Sequence, residues 1–128
     1  MEEITKKWLQ RAKYDLDTAD AMFKSRRYLY VAFMCQQALE KILKAMAIEK
    51  GKEALRSHNL VRLAEVAEIY HIIPTEYKDL LADLTPFAIE SRYGDYRRSL
   101  SEIIDKKMAK TYLDKTKKIY RWLRIRIK

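Results

Sequence analysis

Apolar residues recur every three or four positions along most of the chain, which is the spacing of amphipathic α-helices. A first helix is predicted over about residues 2–24 and a second over about 28–50. The apolar stripe of the first helix consists of Ile4, Trp8, Ala12, Leu16, Ala19 and Phe23. The middle of the second helix, VAFMCQQAL at 31–39, is apolar nearly all round. Such a helix is expected to be central, or shared between a core and an interface.

Capping residues mark the ends of further helices. Gly51 is expected in the left-handed conformation that closes the second helix. Ser57 is predicted to cap a third helix over about 58–70, and Thr75 to cap a fourth, because hydroxyl oxygens accept hydrogen bonds from the free N–H groups of a first turn.

The last third of the chain contains a break and a long helix. Pro86 lies inside the fourth helical pattern and predicts a kink or restart, since proline has no backbone N–H. Residues 91–98, SRYGDYRR, have the composition of a loop, and a fifth helix is predicted over about 100–126. The elements together predict an all-α, up-and-down bundle of four to five helices, in one domain spanning residues 1–128.

Composition agrees with an all-α fold and excludes several other classes. Two Gly and two Pro in 128 residues are too few for the turns of a β-sandwich or barrel. No apolar run reaches the roughly 18 to 20 residues of a membrane span. The single cysteine excludes an internal disulfide and fits a reducing cytoplasm. Scarce Asn and Gln beside abundant Lys and Glu favour a thermophilic source.

The formal net charge of +9 is concentrated at the end of the chain. Residues 1–105 contain 17 basic and 17 acidic side chains, whereas residues 106–128 contain 10 basic ones and a single acid. At 100° per residue, a basic face falls within a sector of about 60°. That face consists of Lys106, Lys110, Lys117, Arg121, Arg124 and Lys128. It is either a solvated helix face or a surface for a polyanion such as RNA.

Four segments in register resemble a known family. They are WLQRAKYDLDTAD at 8–20, QQALEKILKA at 36–45, SHNLVRL at 57–63 and SRYGDY at 91–96. In this order and spacing they resemble the HEPN domain, named for higher eukaryotes and prokaryotes nucleotide-binding. The resemblance implies a helical bundle that forms a homodimer. It also implies a minimal nucleotidyltransferase as partner, in a complex or a toxin–antitoxin pair.

Many members of that family are metal-independent RNases that carry an Arg, four to six further residues and a His at the cleft between two protomers. Arg92 matches the arginine, but Arg97, Arg98 and Ser99 occupy the positions where the histidine is expected. Both histidines of the chain precede Arg92. Arginine stays protonated and cannot serve as the base. The resemblance therefore predicts a member without this nuclease pair.

Candidate nucleotide- or RNA-binding residues fall in two segments, and Arg92 is the candidate for any catalytic role. In the loop they are Arg92, Tyr93, Asp95, Tyr96, Arg97 and Arg98; on one face of the second helix they are Gln37, Glu40, Lys41 and Lys44. Glu40 can instead be structural, paired with Lys44 at i+4 or holding Arg92. Tyr93 and Tyr96 can stack on a base or, by analogy with the family, accept a nucleotidyl group.

The remaining polar residues have structural interpretations. Asp15, beside the apolar stripe, is expected to be a satisfied structural acid, and His58 to organise the start of the third helix. Cys35 should be inert core. Neither a cofactor site nor a metal site is predicted.

Three hypotheses follow. The first is a dimer that pairs with a nucleotidyltransferase and binds nucleotide or RNA. The second is a divergent, toxin-like ribonuclease that uses Arg92 with Tyr96 or Asp95. The third is an RNA-binding module that works through the basic face of the last helix.

Overall fold

Two long antiparallel helices, α1 (Glu3–Lys24) and α2 (Tyr28–Glu49), form the centre of the fold. The computed structural model describes residues 1–90 and 103–127, with the side chains of 89 and 90 left out. The shorter helices in these ranges are α3 (Leu60–Val66), α4 (Thr75–Leu84) and α5 (Phe87–Glu90), and the long last one is α6 (Lys106–Arg124). A 3₁₀ turn, Tyr70–Ile72, precedes α4. The described residues contain no strand, which confirms the all-α prediction and the bundle.

The second helix is buried on nearly every side. It contacts α1, α3, α4, α5 and α6, and Leu39, Ile42 and Leu43 on it have no accessible surface. This confirms the central position that its apolar middle predicts. Cys35 is completely buried there, and burial raises the pKa of its thiol to about 12. The thiol is therefore protonated at neutral pH and unreactive.

Gly51 closes α2 as predicted. It has a positive φ of 77°, and the Lys52 N–H donates to the Ala47 carbonyl at 2.9 Å, the hydrogen bond of a Schellman cap. Two other helices end in the same way without glycine. Arg26 after α1 has a φ of 63° and Glu68 after α3 a φ of 59°. Both residues adopt a left-handed backbone conformation that favours glycine. No pattern in the sequence predicts that conformation at these two positions.

Two predicted caps are wrong. Asn59, rather than Ser57, caps α3: its Oδ1 accepts from the Arg62 N–H at 3.1 Å, so the helix begins at Leu60 and is shorter than predicted. Ser57 Oγ instead accepts from the Asn59 N–H at 3.1 Å, in the turn that leads into α3. Thr75 is the first residue of α4, Pro74 occupies the cap position, and no side chain caps that helix.

Pro86 does interrupt the helical pattern: α4 ends at Leu84 and α5 begins at Phe87. The predicted last helix starts too early, because Ile104 and Asp105 are not helical. Asp105 caps α6, with its Oδ1 accepting from the Met108 N–H at 2.9 Å. The predicted loop at 91–98 lies outside the described residues.

Replacing Arg26 by glycine should stabilise the protein. Glycine removes the Cβ clash of the left-handed position, and we expect the free energy of unfolding to rise by about 0.5 to 1 kcal/mol after the entropic cost of glycine. Lys7→Gly, in the exposed interior of α1, should lower it by about 1 kcal/mol. Denaturant titration of both variants measures the free energy of unfolding. A decrease in Arg26→Gly would contradict the left-handed conformation of residue 26.

Candidate functional site

A polar cluster lies on α2 inside the otherwise apolar centre of the bundle. Gln36, Gln37, Glu40 and Lys44 are all buried. Gln37 Nε2 donates to Gln36 Oε1 at 2.7 Å, and Gln36 Nε2 donates in turn to Glu40 Oε1 at 3.1 Å. Buried polar groups are tolerated when their hydrogen bonds are made, and this chain of bonds ends on the carboxylate.

The Glu40 carboxylate is the acceptor on which the cluster converges. Besides the bond from Gln36, its Oε1 accepts from His58 Nδ1 at 2.7 Å and its Oε2 from Lys44 Nζ at 3.0 Å. Burial by itself raises the pKa of Glu40, but the hydrogen bonds from His58, Gln36 and Lys44 outweigh it, so the pKa is lowered. Glu40 is therefore a fully bonded carboxylate and a poor proton acceptor at neutral pH.

The cluster attaches the start of α3 to α2. The His58 carbonyl accepts from Gln36 Nε2 at 2.9 Å, next to the Asn59 cap. Two residues further on, the Leu60 N–H donates to Thr85 Oγ1 at 3.1 Å, between α4 and α5. His58 thus organises the beginning of the third helix, as the sequence predicts. The Glu40–Lys44 pair at i+4 is also present as predicted.

Lys41 does not join this cluster, although the sequence predicts it on the same face. It forms an ion pair with Asp15 of α1, whose side chain is buried. That pair links the two long helices and confirms Asp15 as a structural acid. The four candidates on α2 are therefore divided between two sets of contacts, of which only Gln37, Glu40 and Lys44 belong together.

Trp8 is a neighbour of the cluster that the sequence pattern assigns only to the apolar stripe of α1. Its ring lies 5.6 Å from Lys44 Nζ and 5.6 Å from the Arg11 guanidinium carbon. On its outer side, Ile4, Lys7 and Arg11 line a shallow depression with it. Trp8 and Lys44 are far apart in sequence, so no local pattern relates them. The pairing of α1 with α2 creates this contact.

The loop half of the predicted site, which consists of Arg92, Tyr93, Asp95, Tyr96, Arg97 and Arg98, lies outside the described residues. The last described helix before it, α5, packs against α2. The partner of Arg92 stays a prediction, whereas the described partners of Glu40 are Gln36, Lys44 and His58.

The basic face of the last helix lies beside α1, and its members are not equally exposed. The buried residues of α6 are Ala109, Leu113, Thr116, Ile119, Tyr120 and Leu123. At 100° per residue they are centred about 100° from the basic face, so one edge of that face borders the core. Lys117 is consequently only 32% exposed and pairs with Asp20 of α1 at 2.8 Å. Lys106, Lys110, Arg121 and Arg124 are exposed, and Lys128 lies outside the described residues.

The described residues contain neither a cluster suited to a metal ion nor a helix suited to span a membrane. In residues 1–90 and 103–127 there is no group of three or more His, Cys, Asp or Glu side chains that could hold a metal ion. Within the same ranges, none of the helices combines the length and apolar character needed to cross a membrane.

Comparison with known proteins decides the family. The profile of the HEPN domain matches residues 5–126, which is nearly the whole chain. The chain belongs to the HEPN domain family. The resemblance noted from the four sequence segments is thereby confirmed.

Two crystal structures share the HEPN fold of this chain. One is TT1696 from Thermus thermophilus, with a TM-score of 0.83 and 21% identity over 96% of this chain and 98% of that one. The other is ST0689, described as an archaeal HEPN homologue, with a TM-score of 0.77 and 22% identity over the full length of both chains. No curated protein sequence matches significantly. At these identities the structural likeness establishes the fold.

Removing the Glu40 carboxylate should destabilise this HEPN domain strongly. Glu40→Ala leaves Lys44 and Gln36 buried without their acceptor, and we expect the free energy of unfolding to fall by about 3 kcal/mol. Glu65→Ala, on the exposed side of α3, should change it by less than about 0.5 kcal/mol. Urea unfolding compares the two; equal small effects would show that the cluster contributes little.

The same carboxylate should make stability depend on acid pH. Because folding lowers its pKa below the ordinary value of 4.5, its stabilising contribution is present above that value and is lost as the pH falls through the folded pKa. Glu40→Gln cannot titrate, so its stability should fall less steeply than that of the wild type below about pH 4.5. Unfolding curves at a series of pH values measure this, and parallel pH profiles would contradict it.

Proposed function

We propose that this HEPN protein is a homodimer that pairs with a minimal nucleotidyltransferase and binds nucleotide or RNA, without the family's metal-independent RNase activity. The observation that carries the proposal is the family membership over residues 5–126 together with arginine, not histidine, at position 97. The proposed binding residues are those of segment 92–98 and the polar side chains Gln37 and Lys44 of α2.

The chemistry of the histidines supports a non-nuclease role. A cleavage that uses the 2′-hydroxyl needs groups that exchange protons near neutral pH. His58 is bonded to Glu40, and His71 lies exposed in the 3₁₀ turn, far along the chain from Arg92. Arg97 can contact a phosphate with two parallel hydrogen bonds but cannot take up a proton. A binding role therefore suits the residues present better than catalysis.

A half-apolar surface on the outer side of the two long helices supports the dimer. Tyr30, Met34 and Ile48 share one side of α2, since they are spaced by 4 and 14 residues. Lys41 lies on that side too, and its ion pair with Asp15 brings it beside the edge of α1 that carries Trp8 and Ile4. We call Ile4, Trp8, Tyr30, Met34 and Ile48 the seam face. Half-exposed apolar residues along two helices are typical of a surface that associates.

A charge in the seam face should weaken the dimer. Ile4 is 50% exposed, so Ile4→Glu should leave the fold intact while placing a carboxylate in the interface. We expect the dimer dissociation constant to rise about tenfold or more. Ile72→Glu is a matched control, because Ile72 is 52% exposed in the 3₁₀ turn and is not part of the seam face.

Sedimentation equilibrium at micromolar concentrations measures both variants. A wild-type protein that stays monomeric over this range contradicts the proposed dimer. So does an Ile72→Glu variant that dissociates as readily as Ile4→Glu, because the effect would then not be specific to the seam face.

The partner and the missing nuclease activity are tested together. The wild type should co-elute with a minimal nucleotidyltransferase encoded beside it, and neither the wild type nor Arg92→Ala should cleave single-stranded or structured RNA. Cleavage by the wild type that is lost in Arg92→Ala would establish the divergent ribonuclease instead. A dimer that does not co-elute with the transferase would contradict the proposed pairing.

A further inference from the structure

The exposed side of α6 is almost entirely cationic. Eight residues of this helix are exposed, and seven of them are basic: Lys106, Lys107, Lys110, Lys115, Lys118, Arg121 and Arg124. The eighth, Thr111, has its hydroxyl bonded to the Lys107 carbonyl at 3.0 Å. We call these seven side chains the cationic face. A surface made only for solubility normally mixes both signs of charge, whereas this one contains a single acid, Asp114, whose side chain is 47% exposed.

Three members of the cationic face do not belong to the basic face predicted from sequence. At 100° per residue, Lys106, Lys110, Arg121 and Arg124 form one row near α1, within about 60°. A second row, Lys107, Lys115 and Lys118, continues the face to a total width of about 180°. The tertiary structure exposes this second row, because the buried side of α6 is turned away from it.

The charges of the cationic face are largely uncompensated. Of its seven cations, Lys110 alone has an acidic partner among the described residues, Asp114 at 2.9 Å. The other six have no carboxylate within 4 Å in residues 1–90 and 103–127. These six unpaired cations are spread along about 27 Å of helix. Such an arrangement is favourable when water or an extended anion surrounds the charges.

The composition of the face indicates which anion. Protein interfaces have an apolar centre, and no exposed residue of α6 is apolar. Single-stranded nucleic acid is held by stacking on aromatic rings, and Trp122, the ring nearest this side, is half-buried with Arg126 over it at 3.7 Å. The remaining candidate is a double-stranded nucleic acid, which is contacted through the charge of its phosphates. Duplex DNA carries one negative charge per about 1.7 Å of its axis.

We propose that the cationic face of α6 binds double-stranded DNA through its phosphates, without reading sequence. The major groove of B-form DNA is about 12 Å wide and admits an α-helix, so the two rows would face its two phosphate rims. The major groove of duplex RNA is too narrow for this placement. Cations placed against phosphate oxygens make contacts that carry no sequence information, so the proposed binding does not depend on sequence. The inference is independent of the dimer and of the transferase.

Removal of the second row tests the proposal. Lys107→Gln, Lys115→Gln and Lys118→Gln together should weaken binding of a labelled DNA duplex of about 20 base pairs and arbitrary sequence about tenfold or more at low salt. The slope of log affinity against log salt should become shallower by about 2.7, from roughly 0.9 per phosphate contact. Fluorescence anisotropy at several salt concentrations gives both quantities. Circular dichroism should be unchanged, because these lysines are exposed and have no acidic partner among the described residues.

A matched triple variant controls for net charge. Lys7→Gln, Lys24→Gln and Arg56→Gln remove the same charge at exposed positions outside α6 that also have no acidic partner among the described residues, and affinity should change less than about threefold. An equal loss in both triple variants would reduce the effect to net charge and overturn the proposal. No binding by the wild type at low salt, or tighter binding of an RNA duplex than of the DNA duplex, would also overturn it.

Discussion

The burial of α2 on nearly every side is the constraint on which the rest of the structure depends. Its apolar residues face α1, α3, α4, α5 and α6, so each of these helices needs an apolar side turned toward α2. A helix in that position has few places for polar groups. Those it does carry, Gln36, Gln37, Glu40 and Lys44, must satisfy one another or an adjoining segment.

Glu40 shows how that requirement produces local order. Its carboxylate collects donors from its own helix and from His58, so the irregular segment before α3 is held where the Asn59 cap can start the helix. A buried charge with three donors is a structural element rather than a proton carrier. The central carboxylate of the cluster is already fully used in holding the fold. The proposed binding chemistry is thus left to Gln37, Lys44 and the arginines and tyrosines of segment 92–98.

The fold also separates two kinds of surface. The outer side of the α1–α2 pair is half-apolar and carries a cation near the partly exposed ring of Trp8, whereas the exposed side of α6 carries almost nothing but positive charge. Association of protein with protein favours the first composition, and association with a polyanion favours the second. One small helical domain therefore presents two surfaces suited to different partners.

The sequence by itself determined the two long helices α1 and α2, the central place of α2 and the family, because apolar periodicity and residue spacing are local properties of the chain. It also identified the Glu40–Lys44 pair, which is an i+4 contact within one helix. Only the tertiary structure decided that Lys41 pairs with Asp15 and that Trp8 lies against Lys44. It also decided which lysines of α6 face solvent, namely Lys107, Lys115 and Lys118 in the second row. The reason is physical: the rotation of each helix about its axis is set by its neighbours, and a shift of a single residue moves the exposed side by about 100°.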